Sequence, residues 1–582
     1  MQRLRNIVVL LFALALVAAA CGDDDSTDTT AGATTTEAPA TTEAPATTEA
    51  PATTEAPPTT EAPAEKTVII GTTDAIASLD GADAYAVHDW ELLKNVGEGL
   101  LKWEPGSGDN LIPGVATDLG TFSDDGLTYT ITLRDDVMFG DGTPLTAQMY
   151  ADQINNRLLV LEGPNGVGPA LGQPYVASAE ALDDYTVQFN LTGTWAFFPQ
   201  LLAGAPYIPT HPDQFGAELN LFPDAPVYGV GPWFIESYTV DEQAVLKPNP
   251  FYYGEAPALD SVIIRYFGDP QTMALAVEAG EIDVAWRILG PELIEQLEGV
   301  EGLNVHTIPA GPIRYFIVNH TLAPTDDPNV RKAIASLIDR DEISDRVFGG
   351  AVEPLYSPVP PGFLGANEVY DDVYASPDID AAVAFLADSG YTADNPLQLV
   401  VAYPPEHYGG TVADTMQVVK EQLEASGAIQ VELVAQEWST YIGAVIGGED
   451  YPVSFLGWFY DYPDPDNYLS PFILDGGLGT NLAFNVAEEG SPPVYETIEG
   501  VDQRLVDALL EAASNPDPAA RQALYEEIQA LHAEAVVTIP LWLEAEHIVY
   551  RDGVMGDNAF LTPETLNIGP TIEFNYSTLD LG

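Results

Sequence analysis

From Lys66 onward the chain alternates short apolar runs with segments whose apolar residues recur every three or four positions. Val68 to Ile70, Val262 to Ile264, Leu397 to Val401 and Val431 to Val434 read as buried strands. Leu127 to Leu133 (LTYTITL) alternates strictly, which places Leu127, Tyr129, Ile131 and Leu133 on one face of a half-buried strand. Helical stripes lie between the strands. In DDPNVRKAIASLID, Asp327 can cap and Pro328 can open a helix whose buried face is Val330, Ile334, Leu337 and Ile338. Val412, Met416, Val419 and Leu423 form a second stripe, and Leu524, Ile528 and Leu531 a third. Strands alternating with helices predict α/β lobes built on parallel sheets.

The first 64 residues have a different texture. Arg3 and Arg5 precede an uncharged apolar run from Ile7 to Val17, followed by Ala18, Ala19, Ala20 and Cys21. A bilayer-spanning helix needs about 20 apolar residues, so this shorter run predicts a secretory signal over residues 1–20. The small residues before Cys21 resemble the bacterial lipobox, in which the cysteine is lipidated and becomes the mature first residue; Ala18 stands where that box usually has Leu. Residues 21–65 form the lipidated cysteine and a linker in which TTEAPA recurs, with starts at Thr35, Thr41, Thr47, Thr53 and Thr59. Proline at every sixth position and almost no apolar surface leave nothing to offset the entropy of ordering. About 43 such residues reach roughly 35 Å as a coil and about 130 Å as polyproline II. The linker therefore holds a domain off a membrane.

The mature remainder is too long for one core, and two or more lobes are expected. Cys21 is the only cysteine, so no internal disulfide and no zinc–thiolate site can form. With 89 acidic against 19 basic residues the formal charge is −70. That excludes nucleic acid as a partner, because no basic patch exists to release counterions. The acids are spread along the chain, which favours a solvating role over a field that draws cations. Catalytic signatures are lacking: there is no GxSxG, P-loop or HExxH, and the seven histidines have no metal-ligand spacing. With so many carboxylates, some pair suited to glycoside hydrolysis always exists and carries no weight. No enzyme, cofactor or metal site is implied.

Seven segments, in order over nearly the whole mature chain, resemble family 5 extracellular solute-binding proteins, the oligopeptide, dipeptide and nickel receptors of ABC importers. They are FGDGTPLTAQMYADQI from Phe139, YGVGPWFIESY from Tyr228, KPNPFYYGEAPALDSVIIRYF from Lys247, ALAVEAGEIDVAW from Ala274, DDPNVRKAIASLIDRDEI from Asp326, GWFYDYPDPDNYLSPF from Gly457 and VTIPLWLEAEHIVY from Val537. Read physically, most are scaffold. Asp141-Gly142 makes a tight turn with Pro144 starting a helix. Gly229, Gly231 and Pro232 lead into a strand, Gly280 ends a helix, and Asp339-Arg340 forms a cap or ion pair. The resemblance implies a bilobed α/β fold of periplasmic-binding-protein type, with three sub-domains and a hinged ligand cleft. By that analogy residues 66–98, 206–308 and 541–582 build one lobe, 99–205 its appended sub-domain, and 309–540 the opposing lobe.

The resemblance also points to site residues. In peptide-binding members a WxxD lies in the cleft, its Asp receiving the ligand's α-ammonium; here that is Trp458 and Asp461, and Asp464 and Asp466 read as turn formers. A short extended piece that pairs with the peptide backbone matches Tyr85, Ala86, Val87 and His88. Tyr403 follows a strand and opens a loop, where α/β ligand sites gather. Arg314, before the strand FIVNH, is placed to meet a ligand carboxylate. The implied protein is exported, lipid-anchored to the outer face of the cytoplasmic membrane and monomeric. It hands a peptide or peptide-like amine to an ABC permease and its ATPase. An oligosaccharide, opine or metal-chelate ligand, or a sensor role, remains open at this point.

Overall fold

The computed structural model describes residues 65–104, 110–286, 289–374, 377–405, 407–447, 451–474, 502–554 and 574–581. The predicted signal, Cys21 and the TTEAPA linker lie outside the described residues. Lys66–Gly582 forms one compact unit. Among the described residues no helix is long and apolar enough to cross a membrane.

One large sheet runs through this unit, in the order Ile429–Ala435, Leu397–Tyr403, Val453–Trp458, Leu303–Val318, Thr538–Arg551, Val284–Trp286, Thr67–Thr72, Ser261–Tyr266, Gln243–Pro248, Trp233–Thr239. The sheet is mixed, which corrects the expectation of parallel lobes. Thr67–Thr72 is parallel to both neighbours, and Leu397–Tyr403 to both of its own. The remaining pairs on that path are antiparallel. The cause is connectivity. Tight hairpins link 233–239 to 243–248, and the chain recrosses the middle of the sheet in opposite directions.

Two long central strands join the halves of this bilobed fold. Leu303–Val318 pairs with Thr538–Arg551 over nearly its whole length, with register shifts between Pro309 and Ile313 and between Arg314 and Tyr315. On one side of the shift the cores gather around Val68, Trp233, Val262 and Trp286, and around Met273, Val277 and Val549. On the other side they gather around Phe316, Ile334, Met416 and Phe455, and around Tyr315, Leu469, Leu509 and Ile528. The predicted helical stripes face these cores: Val330, Ile334 and Leu337 lie in Pro328–Leu337, and Val412, Met416, Val419 and Leu423 in Val412–Glu424. Asp327 does cap, accepting the Asn329 N–H at 2.8 Å.

A fifth core belongs to an appended four-stranded sheet, ordered Thr121–Phe122, Thr128–Thr132, Thr186–Leu191, Val176–Ala181. Tyr129, Ile131 and Leu133 point inward as predicted, but Leu127 is 43% exposed. It precedes the strand, beside the turn at Gly126 (φ +70°). Pro144 likewise does not open a helix. It bridges Met138, and the helix Ala147–Gln153 starts behind Thr146, whose hydroxyl accepts the Met149 N–H. Gly229 and Gly231 lie so close to the backbone of Val96 and Gly97 that a Cβ has no room. Asp339 caps Arg340–Phe348, and the buried Arg340 guanidinium donates to the carbonyls of Leu355 and Pro540 rather than pairing with Asp339.

A buried bidentate pair ties the appended sheet to the segment before the first long helix. Arg157 donates to both oxygens of Asp80 at 2.6 Å, and Asp80 also accepts the N–H groups of Ala82 and Asn220. Removing one partner of such a pair leaves a charge in the interior with no counterion. Asp80→Ala should therefore lower unfolding free energy by about 3–5 kcal/mol, measured as a drop in urea midpoint at constant slope. A loss below 1 kcal/mol would mean the pair is not what holds this junction.

Candidate functional site

The strand Val453–Trp458 runs out of the sheet beside Ile313 and Arg314. The chain then turns through Phe459 to Tyr462 into the helix Pro465–Ile473, which has Asp464 as its cap, accepting the Asp466 N–H at 3.0 Å, and Pro465 in its first turn. Asn467, one turn into that helix, organises the turn. Its Oδ1 accepts the Asp461 N–H (2.8 Å) and the Trp458 Nε1–H (3.2 Å), and its Nδ2 donates to Asp461 Oδ2 (3.1 Å). Trp458 and Asp461 are thus oriented by one amide.

From a distant part of the chain, the Tyr85 phenol lies close enough to the Asp461 carboxylate for each to shift the other's titration. Tyr85 is held by an edge contact with Trp90 at 5.8 Å, and the Trp90 indole donates to the Ala84 carbonyl at 2.7 Å. Two residues 376 positions apart in sequence therefore meet at one carboxylate. Val87 and His88 do not continue the extended piece. The chain is extended at Ala86 (φ −80°, ψ 147°), but Val87–Val96 is a helix that buries Trp90, Leu92 and Val96. The gain from that apolar face outweighs any preference for strand at its first two residues. His88 sits half-buried, 4.0 Å from Asp74 and 3.8 Å from Asp89.

Burial pushes the Asp461 carboxyl up to about 6, against the lowering effect of the Asn467 amide and the Tyr85 phenol. Asp466 is likewise pushed up to about 6, by burial and by the charge of Asp464. Asp464 itself carries its counterion, with Arg521 donating to both oxygens at 2.8 and 2.7 Å. Among the described residues no basic side chain forms an ion pair with Asp461. It is a half-buried carboxylate held by the Asn467 amide, with no cation paired to it among the described residues.

Arg314 is placed differently from the expectation. It is 4% exposed, and its guanidinium pairs with Glu544 at 2.7 Å and lies 4.4 Å over the Tyr408 ring. Its charge is already matched inside the fold, which corrects its assignment as a free receptor for a ligand carboxylate. Nearby, His407 stacks on Trp438 at 3.5 Å, and burial together with the Arg314 charge holds its pKa down to about 4. Tyr403 is the last residue of its strand rather than the first after it, half-buried against the neighbouring core, and its carbonyl accepts the Gln436 N–H. The structure brings Tyr85, Trp458 and Asp461 together around Asn467; nothing links Tyr403 or His88 directly to that carboxylate. Asn467 escaped the sequence reading as an organiser. Its signal was a side-chain amide one helical turn after a capping Asp.

The raised Asp461 carboxyl has a sign that can be checked. Its folded pKa lies above the unfolded value of 3.8, so between about pH 4 and 6 the folded state holds more protons. Stability from this group is present below pH 4 and is lost as pH rises through about 6. Asp461→Asn should flatten that part of the unliganded stability profile. At pH 7 it should raise stability by up to about 3 kcal/mol, the free-energy equivalent of the shift. Urea titrations at pH 4, 5, 6 and 7 decide this, and parallel profiles for the two proteins would contradict it.

Residues 110–479 match the family described as bacterial extracellular solute-binding proteins, family 5 Middle. Di/tripeptide-binding protein 4 of Pseudomonas aeruginosa is 30% identical over 479 residues, covering 78% of this chain and 85% of that protein. The glutathione-binding protein GsiB of Escherichia coli K12 is 24% identical over 83% of this chain and 90% of its own. Among solved structures, the substrate-binding protein CtaP of Listeria monocytogenes superposes with a TM-score of 0.74 at 23% identity, covering 89% of this chain and 99% of that one. DppA of Helicobacter pylori, in complex with the peptide STSA, superposes with a TM-score of 0.70 at 22% identity, covering 88% and 98%. The bilobed fold and the match over residues 110–479 agree: this chain belongs to the family 5 bacterial extracellular solute-binding proteins.

Proposed function

We propose that this protein captures a peptide, or a peptide-like solute bearing a free amine, between its two lobes and delivers it to an ABC permease. Asp461 carries the reading. It is a half-buried carboxylate, held by Asn467 and close to the Tyr85 phenol, and without a cationic partner among the described residues. An ammonium group supplies the missing charge, and attraction in such a site far exceeds that in water. A neutral ligand leaves the carboxylate unpaired, which is the basis of selectivity. The di/tripeptide-, glutathione- and peptide-binding relatives support the same ligand class. In this proposal Trp458 and Tyr85 wall the amine subsite and Tyr403 lies farther along the cleft. The lobes divide within the two long strands, near 308/309 and 540/541. Residues 1–20 direct export, Cys21 carries the lipid, and the linker gives the monomeric receptor its reach to the permease.

The test is ligand-induced stabilisation of a form beginning at Glu65. Short free-amine peptides should raise its melting temperature, their N-acetyl derivatives should not, and Asp461→Asn should abolish the difference. Affinity should fall about tenfold per pH unit below about pH 6, because the carboxyl must give up its proton to pair with the amine. Calorimetry in buffers of different ionisation enthalpy reads that released proton. Stabilisation by cello- or chito-oligosaccharides and not by peptides would sink the assignment.

A further inference from the structure

Tyr462, the residue after Asp461, sits in the turn between strand and helix on the Trp458 side of the cleft, yet it is only 2% exposed. Its ring is buried in the core of the appended sheet on the other side. It stacks on Phe197, with ring centroids 4.8 Å apart and planes 14° apart, and meets Tyr175 edge-on at 6.2 Å. Its hydroxyl donates to Asp466 Oδ2 at 2.7 Å and lies 3.4 Å from the Tyr175 hydroxyl. The phenol is thus satisfied from its own side, by a carboxyl that also accepts from Ser470 at 2.6 Å. A second contact crosses at the same place: the Ala196 N–H donates to the Ala513 carbonyl at 2.8 Å, and Ala513 is also 2% exposed.

The two crossing points on the Tyr462 side form one rigid piece. Arg521 donates to Asp464, two residues from Tyr462, and its Nε donates to the Ala512 carbonyl at 2.9 Å, one residue from Ala513. Tyr525 adds a third tie, donating to Asp464 Oδ1 at 2.8 Å. The turn that bears Asp461 and the end of the helix Asp502–Ser514 therefore move together.

We propose that Tyr462, seated between Phe197 and Tyr175, is the interlobe clasp of this protein and the positioning residue for Asp461. When the clasp is made, the adjacent carboxylate stands within reach of Tyr85; when it opens, that contact and the enclosed environment of Asp461 are lost together. The clasp uses no ligand atom, so the closed arrangement is populated before a solute arrives, and the solute adds to a bias already present. It deepens the reading of Asp461 as an amine anchor, and rests on that reading only for its consequence in binding.

The test uses the full chain with Cys21→Ser, which removes its one native thiol. Spin labels are then placed through Leu119→Cys on the appended sheet and Leu510→Cys on the helix Asp502–Ser514, at positions 47% and 49% exposed. Pulsed electron-spin resonance then reads the interlobe distance without ligand. The parent should give a dominant short distance. Tyr462→Ala and, independently, Phe197→Ala should shift most of the population to longer distances. Tyr462→Phe, which keeps the ring, should retain the short one, and Asp461→Asn should leave it unchanged. Trialanine, the binding probe, should dissociate at least tenfold faster from Tyr462→Ala. Unchanged distances in both alanine variants would overturn the clasp. If trialanine fails to bind the parent while the distances shift as stated, the clasp stands and the peptide reading falls.

Discussion

The backbone pairing of Leu303–Val318 with Thr538–Arg551 is the constraint on which the rest of this molecule depends. A sheet is continuous only through its hydrogen-bonded neighbours, and these two strands are the ladder by which the two halves of the large sheet are one sheet. They also carry side chains of both regions, with Val549 in one core and Phe316 and Leu541 in another. The register shift after Pro309 interrupts the ladder between those cores. An irregularity there localises bending without unzipping either half. Most of each half's apolar interior is its own, with Tyr462 and Ala513 the buried residues shared with the core of the appended sheet.

Charge placement follows from this architecture. A chain with 89 acidic residues must keep most of them in water, and among the described residues few are buried. Those drawn inside are handled in distinct ways. Asp80 and Asp464 each hold an arginine bidentately, and Glu91 is surrounded by donors from Trp286, Phe574 and Tyr576, which tie the C-terminal residues to the helix Val87–Val96. Asp461 and Asp466 instead accept hydrogen bonds from neutral groups, Asn467 for the first and Tyr462 and Ser470 for the second.

Arg314 illustrates why a residue type in a suggestive place is weaker evidence than its partner. In sequence it stands just before the strand FIVNH, as an arginine awaiting a carboxylate would. In space it lies against Glu544, a residue 230 positions later on the neighbouring strand. Local pattern cannot reveal a counterion supplied from so far along the chain.

What the sequence by itself determined was whatever depends on neighbours along the chain. The helix cap at Asp327, the apolar stripes of Pro328–Leu337 and Val412–Glu424, the inward face of Thr128–Thr132 and the family resemblance were all legible there. The WxxD of Trp458 and Asp461 was legible as a motif, because it is contiguous. Tertiary structure decided what depends on distant pairs. It made the sheet mixed rather than parallel and turned Val87 and His88 into helix through burial of Trp90 and Leu92. It also brought Tyr85 to Asp461 and seated Tyr462 between Phe197 and Tyr175. Burial and pairing are properties of space, and a carboxylate's chemistry is set by what surrounds it after the chain has closed.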